Sequence, residues 1–195
     1  MSRMPYRLRR GRQDGATLIE VLVALFILMV GLLGLIGVMI QSQRTQLESY
    51  QRLQALLLVQ DMAARITANE AAALCYENAA VTFGTGYAAT PDASGCASGD
   101  VTQRARVTSD LIAWDGLLKG SAEMSGADRV GGILGARGCI TRDAASGIFQ
   151  VSVAWQATDR GGAPPAGITC GNDPANYGGE AYRRAVSITV LPANS

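Results

Sequence analysis

Gly15-Ala16-Thr17-Leu18-Ile19-Glu20-Val21-Leu22-Val23-Ala24-Leu25 opens the stretch that decides the fold, and the twenty residues from Val21 to Ile40 carry no charge. At about 1.5 Å per residue, a helix of that length is about 30 Å long, the thickness of a bilayer core. A helix buried in a soluble core is seldom apolar on every side, so the run reads as a membrane segment. Ahead of it, Arg3, Arg7, Arg9, Arg10 and Arg12 face a single acid, Asp14. Arginines before the run and none within it place the N-terminus in the cytoplasm and the remainder outside.

Three explanations compete for this segment. A secretory signal peptide would explain the basic head, but the apolar stretch is long and Gly37-Val38-Met39-Ile40-Gln41-Ser42 offers no A-x-A cleavage site. A plain single-pass anchor fits the length. Neither accounts for Glu20, a carboxylate fused to the start of the apolar run. An acid within a span costs about 2.5–3.5 kcal/mol at its centre and less near its ends. Such a residue calls for a partner.

The string from Gly15 to Leu25 resembles the class III signal of type IV prepilins and type II secretion pseudopilins. The resemblance implies a prepilin peptidase that cuts after Gly15, before the apolar helix, and methylates the new N-terminus at Ala16. It places Glu20 fifth in the mature chain, where the glutamate of an incoming subunit pairs with the N-terminal amine of a neighbour in the filament. Two features depart from the common pattern: Ala16 stands where phenylalanine is usual, and the leader of 15 residues exceeds the shortest ones. Gly31, Gly34 and Gly37 punctuate the helix, either as tolerated residues or as points of close packing.

From Gln41 to about Leu74 the residues favour helix, with no Gly or Pro. Tyr50, Leu53 and Leu57, joined by Leu56, Val59, Ala63 and Ile66, form an amphipathic stripe expected to pack on a sheet. Arg44, Glu48, Gln51, Arg52, Asp61 and Arg65 are left wet or free to meet other subunits. One helix from Thr17 to Leu74 would run roughly 85 Å. The chain thus divides into a leader over 1–15, a long helix over 16–74 and an exported head over 75–195.

In the head, Ala79 to Asp100 reads as loop. Val101 to Val107 is an expected edge strand, and Ser109 or Asp110 is expected to cap a short helix from Leu111 to Lys119 that Gly120 closes. A loop over Ser121–Gly132 precedes three strands. They are a weak one over Ile133–Thr141, an alternating one over Ile148–Thr158 and a last one carrying Arg184, Val186, Ile188 and Val190. Phe149, Val151, Val153 and Trp155 share one face of the second, with Gln150, Ser152 and Gln156 opposite. The expected class is α+β, a pilin-like long helix on a small antiparallel sheet.

Cys75, Cys96, Cys139 and Cys170 contain no C-x-x-C, which argues against a redox or zinc-ribbon site. In an exported domain they suggest two disulfides, and three connectivities are possible. Cys75–Cys96 and Cys139–Cys170 are favoured because each closes one local segment, contributing on the order of 3 kcal/mol.

The absence of histidine removes Ser-His-Asp and Cys-His catalysis and His-ligated metals. No G-x-S-x-G elbow or P-loop pattern is present, so no enzyme machinery, cofactor or metal site is expected. Asn172, Asp173, Asn176 and Glu180 could ligate calcium, but their spacing is not an EF-hand and solvated turn residues are the preferred reading. The formal charge of +1 argues against a nucleic-acid binder. Without the leader the chain keeps 12 basic and 15 acidic side chains, a formal −3.

Glu20-Val21-Leu22-Val23-Ala24-Leu25 and Gly31-Leu32-Leu33-Gly34-Leu35 resemble minor pilins of the PilV type. So do Gln60–Ile66, Arg137-Gly138-Cys139-Ile140, Phe149–Gln156 and Tyr182-Arg183-Arg184-Ala185-Val186. The resemblance implies a low-abundance subunit, held in the inner membrane and then in the filament near its tip. It would prime type IV pilus assembly with other minor pilins, the major pilin and a PilY-type adhesin, in support of twitching, adhesion and DNA uptake. The alternative in the same architecture is a GspI-like minor pseudopilin of type II secretion.

Overall fold

The computed structural model describes residue 15 and residues 17–77, 81–121, 124–126, 128–129 and 131–193. The chain forms two compact units, one ending at Arg44 and the other starting at Thr45.

In the first unit, helix α1 (Leu18–Ala68) begins where the Thr17 carbonyl accepts from the N–H groups of Glu20 (3.0 Å) and Val21 (3.3 Å). Every residue from Leu18 to Arg44 is exposed, including all the large apolar ones. A helix with no dry side of its own needs a membrane or other helices around it.

In the second unit, α1 buries Ala55, Val59, Met62, Ala63 and Ile66. That stripe has the expected helical period but a different phase. Val59, Ala63 and Ile66 are on it, whereas Tyr50, Leu53 and Leu57 are 55%, 60% and 65% exposed. The helix is apolar on two sides, and the small side chains of Ala55 and Ala63 mark the side that can lie close to the head. Nor does α1 run to Leu74. Thr67 Oγ1 donates back to the carbonyls of Ala63 and Ala64, and Asn69 leaves helical geometry (φ −132°). Asn69 Nδ2 instead donates to the Gln103 carbonyl at 3.0 Å. A 3-10 segment (Glu70–Tyr76) with a kink at Ala72 follows.

The segment expected to begin with an edge strand is instead the start of helix α2 (Val101–Leu118). Asp100 accepts from the Gln103 N–H while the Gln103 side chain accepts from the Asp100 N–H, each at 2.8 Å, a complete capping box. The cap therefore lies about ten residues before Ser109 or Asp110, and Val107, Leu111, Trp114 and Leu118 fall on one buried helical face.

The main sheet is antiparallel with order β1-β4-β5-β6, formed by β1 (Phe83–Gly84), β4 (Arg137–Arg142), β5 (Phe149–Gln156) and β6 (Arg183–Val190). A two-residue pair, β2 (Met124–Ser125) with β3 (Asp128–Arg129), and a short helix α3 (Pro174–Tyr177) complete the head. In the sheet, Ile140, Val151 and Ile188 lie side by side, and one face packs on α1 and α2. Trp114 fills the centre, edge-on to Phe83 at 5.8 Å, with its Nε1 donating to the Leu58 carbonyl of α1. The sheet's other face is covered as well: Ala154, Cys170 and Tyr177 form a second small cluster, and Ser152 is only 3% exposed. The structure pairs Cys75 with Cys96 and Cys139 with Cys170, each with Cα atoms 5.6 Å apart. This is the expected α+β, pilin-like arrangement.

A buried polar network joins these elements. Asp110 on α2 accepts from Arg65 (2.8 Å) and from the Tyr76 hydroxyl (2.5 Å), and Arg65 also holds Asp61 at 2.9 Å. Asp110→Ala leaves the buried Tyr76 hydroxyl without its acceptor and Arg65 with Asp61 alone, and is expected to destabilise the head by about 3 kcal/mol. Urea unfolding of the full chain in micelles measures this, and a loss below about 1 kcal/mol would mean the network is ornamental. Burial, with Asp110 alongside, raises the Tyr76 phenol above the usual tyrosine pKa of 10.0. The unfolded chain therefore loses this proton first. Stability tied to the neutral phenol is complete below pH of about 10 and falls as pH rises further. Tyr76→Phe is expected to flatten that alkaline loss.

Candidate functional site

The N-terminal signal is set up by the first turn of α1. Thr17, with Glu20 three residues later, has the T-x-x-E pattern of a helix start, and its carbonyl takes the first helical bonds. This puts the Glu20 carboxylate in the first turn, where the unsatisfied N–H groups of the helix end favour negative charge. Around it Leu18, Ile19, Val21, Leu22 and Val23 are all exposed. A charge in this setting is inexpensive in water and costly in hydrocarbon, where an amine would offset it.

Gly15 is described and exposed, whereas Ala16 lies outside the described residues. A Cβ built on Gly15 would meet nothing within 4 Å. Among the described residues, then, there is room for a side chain at residue 15. The same open space surrounds Gly31, Gly34 and Gly37. α1 is long and apolar enough near the N-terminus to cross a membrane.

Residues 10–36 match the prokaryotic N-terminal methylation motif. The matched stretch contains Gly15, Ala16, Glu20 and most of the apolar run, as far as Ile36. It supports a type IV pilin-like or pseudopilin-like exported protein, and the long helix on a small antiparallel sheet agrees with it. Proteins with this motif are structural subunits, processed by a prepilin peptidase and assembled with other pilins. The motif and the apolar helix together fit an inner-membrane-anchored pilin that later enters a filament. No curated protein and no solved structure matched the chain.

In the head, the two acids among the residues considered for calcium have structural partners. Asp173 caps α3 by accepting from the Ala175 N–H at 2.9 Å, and Glu180 holds the buried Arg183 in a bidentate pair. Arg183 in turn donates to the carbonyls of Ile168 and Cys170, fixing the loop that covers the sheet's second face. Among the described residues no group of three or more His, Cys, Asp or Glu is placed to hold a metal.

No local sequence pattern marks the pocket beside α1. A cavity of about 380 Å³ lies where α1 crosses the end of the sheet, with Glu48 and Arg52 on the helix and Trp155, Arg184 and Val186 on the strands. Arg184 Nε pairs with Glu48 at 2.9 Å. Trp155 is 2% exposed, and its Nε1 has no hydrogen-bond partner among the described residues. Only the position of β6 relative to α1, a tertiary fact, brings these residues together.

Proposed function

We propose that this chain is a minor pilin of the PilV type, which primes type IV pilus assembly and is built into the filament. The reading rests chiefly on one observation: a carboxylate, Glu20, in the first turn of α1, five residues after Gly15 and directly before twenty uncharged residues, Val21–Ile40. The prepilin peptidase cuts between Gly15 and Ala16 and methylates the new amine. Before cleavage the chain sits in the inner membrane with its leader cytoplasmic and its head periplasmic. After it, Glu20 pairs with the N-terminal amine of a neighbouring subunit and sets the axial register of helices that otherwise slide on apolar surface. Other minor pilins, the major pilin and a PilY-type adhesin are the proposed neighbours. The two disulfides keep the head folded outside the cell, where thiols oxidise.

A GspI-like pseudopilin of type II secretion carries the same signal, because one peptidase serves both systems. Deleting the gene separates the two. Loss of surface pili and twitching with normal exoprotein export supports the minor pilin. Loss of export with normal pili overturns it in favour of the pseudopilin.

A further inference from the structure

The last strand presents an open edge. β6 is terminal in the sheet, and its partner β5 occupies only one side. The phase of the ladder follows from one bond: the Ala157 N–H donates to the Tyr182 carbonyl at 2.8 Å, two residues that lie directly opposite in the register pairing Gln156 with Arg183. Hydrogen-bonded pairs then alternate along the ladder, at Trp155–Arg184, Val153–Val186, Val151–Ile188 and Phe149–Val190. The N–H and C=O groups of Ala185, Ser187 and Thr189 therefore point away from β5 and have no partner among the described residues. Protected edges carry charge, proline or a bulge. From Ala185 to Val190 this edge has no charged residue and no proline, its register with β5 is unbroken, and Pro192 comes only after it ends.

The cavity beside α1 adjoins this edge, since Arg184, Ala185 and Val186 line it. Its ionic content is two guanidiniums, Arg52 and Arg184, against one carboxylate, Glu48. Glu48 is engaged by Arg184, while Arg52 is exposed and has no ionic partner among the described residues. Trp155, 2% exposed, forms the apolar wall of the cavity.

We infer that the β6 edge and this cavity together form a strand-addition site for an extended polypeptide segment carrying one carboxylate. Main-chain bonds to Ala185, Ser187 and Thr189 would supply affinity. A side chain of the added strand opposite Val186 would lie on the same face as Val186, which is the α1 side, and so enter the cavity. There the excess of donors selects an acidic side chain over an apolar or basic one. The site lies wholly within the second unit, from Thr45 onward, and does not depend on the filament proposal.

The test uses the full chain in detergent micelles and a synthetic strand of alternating threonine and valine with one central glutamate. Two control peptides carry glutamine at the centre or N-methyl groups on alternate amides. Amide exchange followed by NMR is expected to slow by about tenfold or more at Ala185, Ser187 and Thr189 when the glutamate peptide is saturating, and the Trp155 indole N–H resonance is expected to shift. The glutamine peptide, and Arg52→Ala with the glutamate peptide, should each bind about tenfold more weakly, the loss of one charge-assisted hydrogen bond. Arg52 is exposed on a helix, so its removal leaves the fold intact. Unchanged exchange at the three amides would overturn the inference, as would equal binding by the N-methylated strand. Equal binding by the glutamate and glutamine peptides would overturn its acidic selectivity.

Discussion

Glu20→Val is expected to yield a subunit that is still cut and still held in the membrane but is lost from filaments. The side chain is exposed in the first turn of α1. Removing it adds apolar area and should, if anything, ease membrane residence. What is lost is the counter-charge for a methylated amine in an apolar surround. Removing one member of a buried ion pair costs about 3–5 kcal/mol, because the other charge stays desolvated. At 1.4 kcal/mol per tenfold, incorporation should fall by about a hundredfold or more. Quantitative blotting of sheared filaments against membranes reads this directly. Glu20→Asp keeps the charge but shortens its reach, and should fall between the two. Wild-type levels of processed Glu20→Val in filaments would remove the ionic-register role.

Gly15→Val should act one step earlier and accumulate an uncut precursor. Among the described residues a Cβ at residue 15 meets nothing within 4 Å. Any defect therefore reports the enzyme that approaches the backbone there. Processing should drop below about one per cent of wild type, a barrier increase of about 3 kcal/mol. The precursor should remain membrane-bound, because the apolar helix is untouched. Gly15→Ala, with the smallest added group, should retain more cleavage than valine. Normal cleavage of Gly15→Val would show that the peptidase, if it acts at all, does so elsewhere.

The first forty residues were legible because their information is one-dimensional. A glycine, a carboxylate and twenty uncharged residues keep their meaning whatever surrounds them. The α+β class followed similarly from the alternation of Phe149, Val151, Val153 and Trp155, all of which are buried on the helix side. The phase of the stripe on α1 did not. Tyr50, Leu53 and Leu57 are as apolar as the residues that pack, and only the fit of Ala55 and Ala63 beneath the head decides between the two sides. Helix α2 starts earlier than the strand-favouring Val101, Ala105 and Val107 suggest, because the reciprocal Asp100–Gln103 cap starts a helix at Val101. The early end of α1 depends on Asn69 reaching Gln103 across 34 residues. Ser152 looked wet because alternation assumes one open face, whereas the loop anchored by Arg183 covers it. The edge position of β6 and the cavity beside it depend on strand order, which no local pattern encodes.

The central claim is that the chain is a prepilin-type substrate cut at the Gly15–Ala16 bond. Mass spectrometry of the protein's N-terminal peptide, purified from a piliated strain, tests it most directly. A chain beginning at a mono-methylated Ala16 is the predicted result. An intact leader from Met1, or a cut beyond Ile40 that removes the apolar helix, would contradict it.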